Sequence, residues 1–141
     1  MGAWGPGTFE DDVAIDWLED LYDSDPFAFF RECLDLGGQV DYVEYVACVG
    51  VTCSAEMIHG LLHGPRDGHP EAALAWLTEH QTLSVWALLP DAILGMRRVL
   101  STDSEMRVMW EDEDEIFPQW VATTDNLLKR LLAIDRYNRQ A

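Results

Sequence analysis

Apolar residues at helical spacing, bounded by caps and breakers, govern this chain from about residue 11 onward. Val13, Trp17, Leu18 and Leu21 fall on one helical face. Asp11 or Asp12 caps that helix, which runs to about Asp23. Ser24-Asp25-Pro26 stops it and starts another, since proline suits the first helical position. Phe27, Phe30, Cys33 and Leu34 form the second stripe, and Gly37-Gly38 ends it. A third helical stretch runs from Asp41 to roughly His63, with Gly50 and Thr52 as kink candidates. Its run VDYVEYVACVGV also has the β-branched residues and partial alternation of a strand; helix is the expected outcome.

Gly64-Pro65-Arg66-Asp67-Gly68 is the clearest loop. Pro70 starts a helix through His80, with Ala73, Leu74 and Leu77 inward. Another runs from Leu83 to Leu100, interrupted near Pro90. Ser104 with Met106 and Trp110 opens a further one, and Ile116 to Arg139 follows, with Pro118 as its start signal. The expected fold is all-α: a single domain over residues 1–141, built as a compact bundle of six to seven helices.

Residues 1–9 form an N-terminal arm expected to pack on that bundle. Gly5-Pro6-Gly7 predicts a tight turn, with proline fixing φ and glycine supplying positive φ. That turn brings Trp4 and Phe9 back as a lid on the first helix. A phosphate loop is excluded, because no strand precedes these glycines and the one lysine of the chain is Lys129. Trp17, Trp76, Trp86, Trp110 and Trp120 lie on helical faces and are expected in the core.

A 141-residue chain buries roughly 68–70% of its unfolded surface. With 48% hydrophobic residues, it can fill a core. The sequence contains no long uninterrupted apolar run and no basic segment leading into an apolar one. No membrane span and no signal peptide are therefore expected, and the expected location is cytoplasmic. Cys33, Cys48 and Cys53 are an odd number without paired spacing, which suits buried, reduced thiols.

The net charge of −17 is unevenly spread. Residues 1–80 carry 16 acids against Arg31 and Arg66, whereas residues 81–141 carry 10 acids against seven bases. Direct nucleic-acid binding needs the opposite sign, and an anionic membrane surface is disfavoured for the same reason. Asp12, Asp16 and Asp20 recur every fourth residue, and Glu19 and Asp23 form a second row beside them. Such rows repel themselves by a few tenths of a kcal/mol per pair. They make this face the candidate surface for a basic protein partner. Acids four apart are displaced by about 6 Å along a helix axis, of the order of a phosphate repeat.

Glu56, His59 and His63 sit in EMIHGLLH, at a spacing that turns all three to one side of a helix. Glu-x-x-His is half of a di-metal signature, but there is no second copy. His-x₃-His can hold one zinc if Asp67 or His69 supplies a further ligand. No serine or cysteine nucleophile has a recognisable elbow, and Glu111 to Glu115 lacks the glycine and spacing of a calcium loop. No motif calls for a cofactor.

Three stretches carry a family resemblance. MGAWGPGTFEDDVAIDWL at Met1–Leu18 resembles the opening signature of a bacterial family known as domain of unknown function 4259. AEMIHGLLHG at Ala55–Gly64 and the segment from Ser104 to Leu131 are similar to it as well. The resemblance implies a small, mainly helical intracellular domain and brings no catalytic residues. It implies an acid at Glu56, and small or apolar residues where this chain has His59 and His63. It also suggests Asp12, Asp16, Glu56 and Glu105 as helix caps or buried acceptors.

The expected function is a non-catalytic module binding a basic protein through Asp12, Asp16, Glu19, Asp20 and Asp23, of the toxin-immunity or inhibitor type. The alternative is a metal-dependent enzyme using Glu56, His59 and His63.

Overall fold

Each helix begins where a cap or a proline allows it. The computed structural model describes residues 3–140, which form seven α-helices and no strand. Asp11 accepts from the Val13 amide at 2.7 Å and opens α1 (Asp12–Tyr22). Asp25 does the same for Ala28, with Pro26 at the first position of α2 (Pro26–Gly38). Helix α3 (Tyr45–His63) stops at Gly64, whose φ of 110° favours glycine. After Pro70 comes α4 (Glu71–Glu79). A 3₁₀ turn, Trp86–Leu88, leads into α5 (Leu89–Val99), with Pro90 in its first turn. Ser104 caps α6 (Glu105–Glu111) through the Arg107 amide, and α7 (Phe117–Gln140) closes the described chain.

The third helix is the hub of a compact all-α fold. Every residue from Cys48 to His59 is buried, so this central stretch has no solvated face, and α1, α2, α4, α5, α6 and α7 surround the helix. It is long and apolar enough to cross a membrane, yet 67% of its apolar window is buried by the other helices. Neighbours approach closely where they lack side chains. A Cβ on Gly37 of α2 would lie 2.2 Å from a Val51 methyl, and one on Gly95 of α5 would lie 2.7 Å from the other. Both helices therefore press onto α3 at Val51.

Several expectations need correction. Helix α3 starts at Tyr45 rather than Asp41, because Val43 pairs with Ser104 in an isolated parallel bridge. The Val43 amide donates to Asp103 and the Glu105 amide donates to Val43. The β signal in VDYVEYVACVGV thus reports one real pairing, at Val43, and the run is helical from Tyr45 onward, buried from Cys48. Residues 83–85 precede the 3₁₀ turn and are not helical.

The arm is folded back, but not by Trp4. Trp4 is 60% exposed, while Phe9 is buried against the His69 ring. The Trp4 amide donates to Glu10 O, and the Gly7 amide donates to Glu10 Oε1, so the turn closes around the Glu10 carboxylate. Positive φ is not what these glycines supply: among the described residues it occurs at Gly64 and Gly68. A Cβ on Gly5 or Gly7 would instead lie 2.5 Å from a Glu10 oxygen. Trp17, Trp76, Trp110 and Trp120 are in the core as expected; Trp86 is not, with 44% exposed. The cysteines are free thiols, with Cys48 and Cys53 buried and Cys33 half-buried.

Candidate functional site

A glutamate in the buried central stretch of α3 needs a counter-charge, because an isolated buried carboxylate is too costly to keep ionised. Glu56 finds it in Arg66, from the loop after α3. Arg66 Nε donates to Oε1 at 2.8 Å and Nη2 to Oε2 at 2.7 Å. Thr8 Oγ1, from the arm, donates to Oε2 at 2.7 Å. Arg66 Nη1 also donates to the Thr123 carbonyl and to Asn126 Oδ1 of α7. One ion pair therefore joins the arm, α3, the 64–68 loop and α7. Burial pushes the Glu56 carboxyl up, but the hydrogen bonds and charge of Arg66, with Thr8 and His69, outweigh it and hold the group below its usual range.

His69 stands beside this pair. Its Nε2 lies 3.6 Å from Glu56 Oε1, beyond hydrogen-bonding range, and has no partner among the described residues. Burial lowers its basicity, so the ring is neutral near pH 7. A cleft of about 390 Å³ opens here between Pro6, Phe9, Asp67 and Thr123. Both Glu56 oxygens are already engaged, so this carboxylate is set up to hold the arm and loop rather than to take a proton.

The metal alternative fares poorly on geometry. Among the described residues no group of three or more His, Cys, Asp or Glu side chains is placed to hold a metal ion. Glu56 faces Arg66 and the arm. His59 and His63 instead face each other edge to face, 5.7 Å between centroids, and line a different cavity with α7. The loop delivers an arginine to the Glu56 carboxylate, while His59 opens on the α7 cavity.

The acids of α1 lie in the open. Asp12, Asp16, Glu19, Asp20 and Asp23 are all exposed. Among the described residues none of them makes a salt bridge. Two bases that might have crossed this face are engaged elsewhere: Arg98 donates to the Val40 and Asp41 carbonyls, and Arg107 to Glu111 and the Leu100 carbonyl. Tyr22 at the end of α1 donates to the Ala72 carbonyl, which brings exposed Glu71 of α4 near the same end.

Asp12 and Asp16 are therefore not buried acceptors. That role falls to Glu56 and to Asp11, which also accepts from the Tyr45 hydroxyl, while the half-buried Glu105 takes the Tyr45 amide on its Oε1 at 2.6 Å. Thr8 and Arg66 carry the centre of the molecule, and spacing does not mark them. Arg66 has one signal: it is one of two bases in the first 80 residues, while Glu56 sits in an apolar run that requires one.

The family model described as domain of unknown function (DUF4259) matches residues 2–123. No curated protein and no solved structure matches the chain.

Proposed function

The chain belongs to the DUF4259 family, which carries no assigned activity, and from that premise we propose that it is a non-catalytic module binding a basic protein. The observation that supports this reading is the unpaired acidic face of α1, with Asp12, Asp16, Glu19, Asp20 and Asp23 exposed and uncompensated. A protein that leaves such a row unneutralised keeps a field able to steer a cationic partner into contact. Inhibition or immunity against a cationic toxin acting on nucleic acid is the most concrete form, since such a toxin must itself carry a basic surface.

The test is capture from a lysate of the native host with the wild-type chain and with Asp16→Lys/Asp20→Lys. A basic protein retained by the wild type, lost from the reversed variant and released as salt rises supports the reading. Equal retention by both forms at low and high salt overturns it.

A further inference from the structure

A second, open cavity lies between the C-terminal part of α3, the 3₁₀ turn and α7. Its volume is about 590 Å³, within the range of small-molecule sites. Trp86 of the 3₁₀ turn, Ile134 and Tyr137 of α7 and Leu62 of α3 give it apolar walls. Trp86 and Tyr137 are both exposed to solvent. At its inner end lies His59, only 1% exposed, with neither ring nitrogen partnered among the described residues. A buried imidazole normally has its nitrogens satisfied, so this one marks a place where a polar group is wanted.

The charge of the lining points to the kind of group. The chain has 26 acids and nine Lys or Arg, yet no acid lines this cavity, while Arg130, His59 and His63 do. Arg130 is bonded through Nε to Asn126 and makes no salt bridge among the described residues. Its remaining guanidinium donors suit a carboxylate, which a guanidinium grips with two parallel bonds. A neutral His59 ring offers one N–H donor to the same head group.

We propose that this cavity is a binding site for a small monocarboxylate with an apolar body, its head held by Arg130 and His59 and its body between Trp86, Ile134 and Tyr137. A single guanidinium beside the neutral His59 ring matches one negative charge. The apolar walls select a hydrocarbon or aromatic body over a sugar or a nucleotide. The site is separate from the acidic face of α1 and does not depend on what binds there.

The experiment is calorimetric titration of the full chain with octanoate, and with 1-octanol as the uncharged counterpart. Octanoate is expected to saturate a single site, and octanol to bind about tenfold more weakly, the worth of one charge-assisted hydrogen bond. Arg130→Gln is expected to weaken octanoate by about tenfold and leave octanol unchanged. Ala133→Trp, at an exposed lining position, is expected to remove both while thermal unfolding stays as in the wild type. Absence of saturable octanoate binding would overturn the proposal. So would octanoate binding no tighter than octanol, or binding that survives both substitutions.

Discussion

Arg66 grips both oxygens of Glu56, at 2.8 and 2.7 Å, ten residues away and at the point where arm, loop and two helices meet. The carboxylate is 1% exposed and the guanidinium 11%. Removing one partner leaves the other buried and uncompensated, which typically costs about 3–5 kcal/mol. Arg66→Ala and Glu56→Gln are each expected to lose stability on that scale in urea unfolding. The double replacement Glu56→Leu/Arg66→Met is expected to recover much of the loss. A single variant within about 1 kcal/mol of wild type would show that the pair does not hold the arm.

Acid should destabilise this protein in two stages. Burial lowers His59 to about 4 and lowers His69 as well, so both are neutral in the fold but protonate in the unfolded chain. Between pH 6.5 and 4 the unfolded state binds more protons, so stability is complete above pH 6.5 and falls as pH drops through that window. His59 contributes roughly 3 kcal/mol of this. Glu56, held below its usual range, adds a second loss below pH 4.5. Unfolding midpoints measured from pH 8 to pH 3 should be flat, then fall in both windows. His59→Phe should remove part of the first fall; an unchanged slope would mean His59 is charged in the folded protein.

The opening motif separates two aromatic residues. Trp4 is 60% exposed and held through its backbone, so Trp4→Ala should change stability by less than about 0.5 kcal/mol. Phe9 is 5% exposed, and Phe9→Ala should cost about 3–5 kcal/mol. Thermal unfolding of the two variants decides it, and equal effects would refute the arrangement of the arm.

This contrast also shows what could be seen in the chain beforehand. Helix positions follow from local signals, and Asp11, Asp25, Ser104 and the residues around Pro70 deliver them within a few residues. The start of α3 does not, because its capping acceptor is Glu105, sixty residues away, and Val43 is held by Asp103. The Glu56 site fails to appear for the same reason. Thr8 and Arg66 reach it from 48 and 10 residues away, and periodicity records only which face a residue shares along its own helix. The Glu56–His59–His63 spacing was legible, but which partner reaches each group depends on the loop and on α7. The exposure of the α1 acids was legible, since charge and helical phase are both local.

That acidic face carries the last expectation. Asp12, Asp16 and Asp20 repel one another along α1, and Asp20 and Asp23 also stand at the helix C-terminus, where the backbone dipole disfavours negative charge. Asp12 in the first turn is favourably placed and is left alone. Asp16→Lys turns a repulsive i, i+4 neighbour of Asp12 into an attractive one, and Asp20→Lys puts a cation at the end that favours it. Each change contributes a few tenths of a kcal/mol, so the double variant should be neutral to about 1 kcal/mol more stable in dilute buffer. The gain should shrink at about 1 M salt, where screening acts within about 3 Å. Urea unfolding of both forms at low and high salt measures this directly. A loss of about 1 kcal/mol or more would mean that Asp16 or Asp20 has a partner within the chain, and the face would not be free to meet a basic protein.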